Sequence, residues 1–290
     1  RIEGEIVICP SGLGVGANRR LAGEDFMAGR VVLPKGRRLD ARGLAALAAV
    51  GIGDVPVFRR LRVALFSTGD ELVPPGQPLR PGAQYDSNRT LLAALLRLRG
   101  VEVQDLGILG DDRAVTTAAL EQAAAGHDLI LTSGGVSTGE EDHVKQAVEK
   151  LGKLNFWRLA VKPGRPVALG TIGKAVFVGL PGNPVASFVT FTRLAGPLVD
   201  HLGGAEAVQT LAVPAIAEFS YRKKAGRREY VRAEIISQDG AAIHVRNYAV
   251  EGAALISSLI RTDGLVELDE HTTKIEPGMP VRFLPYPVLY

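Results

Sequence analysis

The sequence predicts an α/β protein: a three-layer domain around a mostly parallel sheet, a small all-β domain after it, and a region of short strands and one helix in front. Three observations lead there. From Leu61 to about residue 203, continuous apolar runs such as LRVALFS, VEVQDLGIL and HDLILTSGG alternate with amphipathic stretches such as SNRTLLAALLRLRG, DDRAVTTAALEQAAAG and EEDHVKQAVEKLG. Strands that are apolar on both faces belong in a parallel sheet covered by helices on either side. After about residue 205 the helical period disappears and short alternating stretches take over, REYVRAEIIS, AIHVRNY, GLVELDE and MPVRFLPY, which is the pattern of a small all-β domain.

In chain order, residues 1–60 carry short strand-like pieces, EIVI and RVVLP, between Gly-rich turns, then an Ala- and Leu-rich helix at about 40–50, DARGLAALAAV, stopped by Gly51. Residues 61–203 hold the strand and helix alternation, which continues through NFWRLAVKPG, PVALG and KAVFVGL to a helix opened by PGNPVASFVTFTRLAGPLVDHLG. HLGGAEAV, residues 201–208, holds the boundary to a third region, 206–290. No internal repeat or low-complexity tract is visible.

With 290 residues, 46% hydrophobic and 22% charged, the composition is that of a soluble globular protein with a sizeable core and two or three domains. No apolar run approaches the roughly 18–20 residues needed to span a bilayer, and RIEGEIVI has neither the basic start nor the apolar core of a signal peptide, so a cytoplasmic protein is expected. The single cysteine, Cys9, excludes an internal disulfide framework and a thiolate-rich zinc site. A net charge of +3 is too small to argue for nucleic acid, and the run Arg222, Lys223, Lys224, Arg227, Arg228 reads equally as a solvated turn between strands. The chain opens without Met and inside a strand pattern, which reads as a processed or partial copy of something longer.

In doubly wound sheets ligands sit outside the carboxyl ends of the strands, and four loops there are rich in chemistry. They carry Ser67, Thr68, Asp70 and Glu71; Gly110, Asp111 and Asp112; the stretch TSGGVSTGEEDHVK at 132–145; and Lys162 with Arg165. Gly134, Gly135 and Gly139 permit close backbone approach, so successive N–H groups and the Ser133, Ser137 and Thr138 hydroxyls can cradle phosphate oxygens. The plain alternative is a strand-to-helix turn that caps a helix beginning near Glu140.

The neighbouring carboxylates bear on that choice. Two unit charges about 4 Å apart interact by about 4 kcal/mol at an effective dielectric near 20, so a carboxylate beside bound phosphate needs an intervening cation. Lys162 and Arg165 are candidates, and magnesium held by one or two carboxylates and the ligand's own oxygens is the other usual solution. Helix N-capping accounts for one of Asp111 and Asp112 more readily than for both. SGLGVG at 11–16 has dinucleotide-fingerprint spacing, but no adequate helix follows it. The five histidines lack metal-ligand spacing, with only His143 standing beside the carboxylates, and the Phe156 and Trp157 pair reads as packing.

FSTGDELVPPGQPL, YDSNRTLLAALL, LGILGDD, SGGVSTGEEDHVK, FWRLAVKPGRP and LPGNPVASF follow one another as in the molybdopterin molybdenumtransferase family, the molybdenum-insertion enzymes of cofactor biosynthesis, to which the gephyrin C-terminal region is also similar. The resemblance runs from about Arg19 to the end of the chain. It implies a molybdopterin-binding α/β domain at about 61–203, a C-terminal β-barrel at about 206–290, and in residues 1–60 part of an elongated dimer-forming region. The implied reaction takes adenylylated molybdopterin and molybdate, hydrolyses the phosphoanhydride, releases AMP and places molybdenum on the dithiolene, with Mg2+ as the metal.

The resemblance also implies roles. Ser133, Gly134, Gly135, Ser137, Thr138 and Gly139 would hold the phosphate side of the ligand, and Asp142, Asp111 and Glu71 match the acidic positions around metal, anhydride and incoming oxyanion. Lys162 and Arg165 would neutralise phosphate or molybdate, Arg158 stands where some relatives have lysine, and Pro181, Asn183, Pro184 and Ser187 open the helix that closes the pocket. A homodimer is implied, with Arg20 and Asp25 contributing from the facing subunit, and the molybdopterin adenylyltransferase is a further partner. The family carries sequence ahead of this start, including an Asp-Gly segment that supplies an active-site carboxylate, and these residues contain no counterpart. Two alternatives remain: a molybdopterin adenylyltransferase, against which the LPGNP helix and the C-terminal β domain argue, and a non-catalytic molybdopterin-binding scaffold.

Overall fold

The computed structural model describes every residue except 1, 9, 10, 13, 111, 137–142, 208, 241, 251 and 290, and the side chains of 156, 157 and 239. The chain divides into two compact units, Arg1–Val57 and Phe58–Tyr290. In the first, β1 (Ile2–Glu3) and β2 (Ile6–Val7) pair antiparallel, and α1 (Ala41–Ala49) follows. Asp40 caps α1 by accepting the Gly43 N–H at 2.8 Å, and Gly51, at φ +80°, ends it by donating to the Ala48 carbonyl. RVVLP does not form the expected strand: turns closing at Arg30 and Arg37 flank it, Pro34 has no N–H for a ladder, and Val31 stays exposed.

The second unit opens with β3 (Arg62–Thr68), β4 (Leu72–Val73), β5 (Gln84–Tyr85), α2 (Ser87–Leu98), β6 (Glu102–Leu109), α3 (Arg113–Gly126), β7 (Leu129–Ser133) and α4 (His143–Leu151). It continues through β8 (Gly152–Arg158), β9 (Val161–Lys162), β10 (Pro166–Ile172), β11 (Ala175–Leu180) and α5 (Pro184–Thr190), which runs through a π-helical turn (Phe191–Ala195) into α6 (Gly196–Leu202). The main sheet has the order β6-β3-β7-β11-β10-β8. Its first four strands are parallel, whereas β10 pairs antiparallel with both β11 and β8. The alternation therefore stops at β8, and a two-residue turn with Gly173 at φ +57° joins β10 to β11.

Side-chain alternation along β3 divides the core into its two layers. Val63 and Leu65 pack with Leu92, Leu96, Phe188 and Phe191 on one face, while Ala64 and Phe66 pack with Leu120, Val144 and Val148 on the other. At the far edge, the Asp128 carboxylate accepts Arg59 at 2.6 and 2.7 Å and the Arg62 N–H at 2.8 Å. The Arg59 hydrogen bonds chiefly pull its pKa down to about 2.

A depressed carboxylate pKa adds stability above the unfolded value and loses it as pH falls through the folded one. The Asp128 contribution should therefore be whole at neutral pH and vanish between about pH 4 and pH 2. Because Arg59 is largely exposed, its expected size is about 1 kcal/mol. Melting curves of the wild type and Asp128→Asn at pH 7 and pH 2.5 test this: the gap should narrow in acid, and a gap independent of pH would refute it.

The last strands are β12 (Val213–Ala217), β13 (Tyr221–Arg222), β14 (Arg228–Asp239) and β15 (Ala242–Asn247), then α7 (Ser257–Ile260), β16 (Gly264–Leu268), β17 (Lys274–Ile275) and β18 (Pro280–Pro285). Five of them run in the order β15-β12-β18-β16-β14, and the β14 to β15 pairing closes the barrel, which removes its open edges. Its interior holds Ala217, Val245, Val266 and Phe283. Tyr230, Leu265, Leu284 and Leu289 instead pack into the core around α2 and α5, so barrel and sheet share one apolar body. β9 adds a second tie by pairing parallel with β14, Val161 opposite Arg228 and Lys162 opposite Glu229.

Candidate functional site

A cleft of about 710 Å³ opens at the carboxyl ends of β3, β7 and β11. Thr68, Gly69 and Glu71 line it after β3, Ser133 to Val136 after β7, and Pro181 to Pro184 after β11. The start of α2 adds Asp86, Ser87 and Asn88, and His143 and Val144 come from α4. This is where an α/β sheet offers unpaired backbone donors to a ligand.

Gly134 and Gly135 turn the chain at φ +86° and +64°, a conformation that side chains oppose. Space opposes them as well: a Cβ on Gly134 would lie 2.8 Å from the Thr68 carbonyl oxygen, and one on Gly135 would lie 2.6 Å from Val144 Cγ2. The loop after β7 thus rests directly on the loop after β3. The Gly134 N–H donates to the Leu180 carbonyl at 3.0 Å, which ties the third loop to the same point.

Asp86 and Asn88 are two cleft residues that the sequence reading left without a role. Asp86, 2% exposed, caps α2: Oδ1 accepts Ser67 Oγ at 3.2 Å and the Arg89 N–H at 3.1 Å, and Oδ2 accepts Arg89 Nε at 2.9 Å. Asn88 Nδ2 donates to Ser133 Oγ at 2.8 Å and to the Gly182 carbonyl at 2.6 Å, linking two cleft loops. Among the described residues, Asn88 Oδ1 and His143 Nδ1 are buried without a hydrogen-bond partner. DSN before an apolar helical run was the available signal, and by itself it marks only a helix start.

Of the anticipated residues, Glu71, Ser133, Gly134, Gly135, Pro181, Asn183 and Pro184 come together on the cleft wall. Asp111, Ser137, Thr138, Gly139 and Asp142 lie outside the described residues. Asp112 caps α3 by accepting the Val115 N–H at 2.8 Å. Ser187 is fully buried inside α5, its hydroxyl unpaired, and is not among the residues lining the cleft.

The expected cations stand apart from the cleft wall. Lys162 reaches the barrel, with Nζ 3.2 Å from Tyr221 Oη and 3.7 Å from the buried Glu229 carboxylate. Burial, with the Glu229 hydrogen bond, pushes the Tyr221 phenol above its usual range. Arg158 and Arg165 are exposed at the facing ends of β8 and β10. Arg20 and Asp25 are exposed residues of the first unit, where SGLGVG is followed by turns rather than a helix. His127 and His244 bond to the Ala123 carbonyl and to Glu218, as packing histidines do.

No group of three His, Cys, Asp or Glu that could hold a metal occurs among the described residues. Magnesium asks less of a protein, because one or two carboxylates suffice when substrate phosphates and water complete the shell. Glu71 on the cleft wall is such a donor and fits that requirement.

These features define the class: an α/β protein with an open cleft at the carboxyl edge of its sheet and a β-barrel packed alongside. Residues 64–201 match the family described as probable molybdopterin binding domain, and residues 214–286 match the MoeA C-terminal region, domain IV. The chain is 39% identical over 272 residues to a molybdopterin molybdenumtransferase of Haemophilus influenzae, covering 93% of this chain and 67% of that protein. It is 34% identical over 274 residues to one of Nostoc, covering 93% and 63%. A crystal structure of a molybdopterin biosynthesis MoeA protein from Pyrococcus horikoshii superposes with a TM-score of 0.75 at 31% identity, covering 91% of this chain and 64% of that one.

The chain belongs to the molybdopterin molybdenumtransferase family. It spans about two thirds of the length of these relatives.

Proposed function

We propose that this chain inserts molybdenum from molybdate into adenylylated molybdopterin, in molybdenum cofactor biosynthesis. In the reaction water cleaves the phosphoanhydride, AMP leaves, and molybdenum passes to the dithiolene. The observation that carries this reading is the cleft itself, where the Gly134 and Gly135 turn and the Ser133 hydroxyl meet the Glu71 carboxylate at the sheet's carboxyl edge. Family membership supports a molybdopterin ligand.

The loop holding Ser133, Gly134, Gly135, Ser137, Thr138 and Gly139 binds the phosphate side, since charge-assisted hydrogen bonds contribute roughly 1.5–3 kcal/mol each. Glu71, Asp111 and Asp142 hold magnesium, which supplies charge neutralisation to the anhydride when bound. Lys162, Arg165 and Arg158 meet the molybdate or phosphate charge beside the cleft, whose wall they do not line, and Asn183 and Pro184 shape the wall that Glu71 also lines. The enzyme works in the cytoplasm as a homodimer and receives its substrate from the adenylyltransferase.

Release of AMP from adenylylated molybdopterin with magnesium should depend on added molybdate. Ligand binding without any AMP release would instead favour the molybdopterin-binding scaffold. Asp142→Asn should keep the fold and slow AMP release at least about tenfold, some 1.4 kcal/mol of transition-state stabilisation. Unchanged turnover in that variant would sink the role given to Asp142.

A further inference from the structure

Asn88 is 7% exposed, and the orientation of its amide is not open to choice. The Gly182 carbonyl can only accept, so the group 2.6 Å from it must be the NH2, and Oδ1 occupies the other position. There Oδ1 is a buried acceptor without a donor among the described residues. Such an atom is costly to bury, and folded proteins retain few of them. The same bonding fixes Ser133: its Oγ accepts from Nδ2, so its own proton is left to donate, and no acceptor takes it among the described residues.

Donor and acceptor are therefore paired at one point of the cleft wall, and they ask for different parts of a ligand. Phosphate and molybdate dianions only accept hydrogen bonds, so they suit Ser133 O–H and the loop N–H groups. They cannot satisfy Asn88 Oδ1, which needs an N–H or O–H.

We propose that Asn88 is a specificity-determining residue, whose Oδ1 accepts a hydrogen bond from the organic part of the substrate beside its phosphate while its Nδ2 turns the Ser133 hydroxyl toward that phosphate. This rests on the molybdopterin reading above. Two parts of the substrate offer such a donor, a pterin N–H and a ribose hydroxyl of the adenylate.

Calorimetric titration of the wild type and Asn88→Ser with molybdopterin, under anaerobic conditions, and with AMP separates the two sources. A loss for molybdopterin about tenfold or more greater than the loss for AMP assigns the donor to the pterin. The reverse pattern assigns it to the ribose. Unchanged affinity for both, in a variant that melts near the wild type, overturns the proposal, and so does an equal loss for both, which would mean a loosened loop rather than a lost contact.

Should Asn88→Ser fail to fold, Asn88→Ala, which likewise removes Oδ1, takes its place, and the same outcomes decide. A wild type that binds molybdopterin yet releases no AMP would remove the activity reading and leave this one standing. One that binds neither ligand removes both.

Discussion

Gly135→Ala should destabilise the protein by about 2–5 kcal/mol and abolish ligand binding in the cleft. Two costs add. At φ +64° an alanine carries roughly 1–2 kcal/mol of backbone strain. Its Cβ would then lie 2.6 Å from Val144 Cγ2 and 2.8 Å from Thr68 Oγ1, contacts that only a backbone shift relieves, and overpacking of this kind costs typically 1–3 kcal/mol. Such a shift would displace the Ser133 to Gly135 loop from the loop after β3, which is the geometry an anion needs. Gly82→Ala is the control, because Gly82 has φ +77° but nothing within 4 Å of a Cβ. Urea denaturation of both variants decides: equal losses would mean that packing against Val144 contributes nothing.

Glu267→Leu should cost about 2–4 kcal/mol. The carboxylate is 7% exposed and takes Arg282 Nε at 3.0 Å, Tyr230 Oη at 3.2 Å and Arg228 at 3.3 Å, with Arg193 at 3.9 Å. Removing one partner from a buried charge cluster typically costs 3–5 kcal/mol because the rest lose compensation. The lower figure here follows from exposure, since Arg282 and Arg228 can turn toward water while Arg193 is more confined. Glu267→Gln keeps the shape and an acceptor and should cost less than half as much. A leucine variant within about 0.5 kcal/mol of the wild type would show the cluster to be dispensable.

Much of this architecture was legible because local pattern and burial coincide. The β3 run LRVALFS is apolar on both sides because helices cover both sides, and Asp112 and Gly51 sit where helix ends require them. Strand direction was not legible. β8, β10 and β11 look like their parallel neighbours, since apolar runs encode burial and not orientation, and only the short turn at Gly173 separates them. RVVLP has strand composition without a partner to pair with.

The site divides in the same way. Glu71 and the Ser133 to Gly135 turn were readable from their place after strands, whereas Asn88 acquires meaning only from Ser133 and Gly182, 45 and 94 residues away. Lys162 was readable as a cation but not as a neighbour of Tyr221, 59 residues along the chain.

The pairing of β9 with β14 makes the barrel a support of the cleft. Val161 and Lys162 are held by the barrel's longest strand, and four residues further on the same chain reaches Pro166, which lines the cleft wall. Together with the core residues that barrel and sheet share, this tether sets where Pro166 stands, so one wall of the cleft is built on the barrel's seating through two rungs of backbone hydrogen bonding.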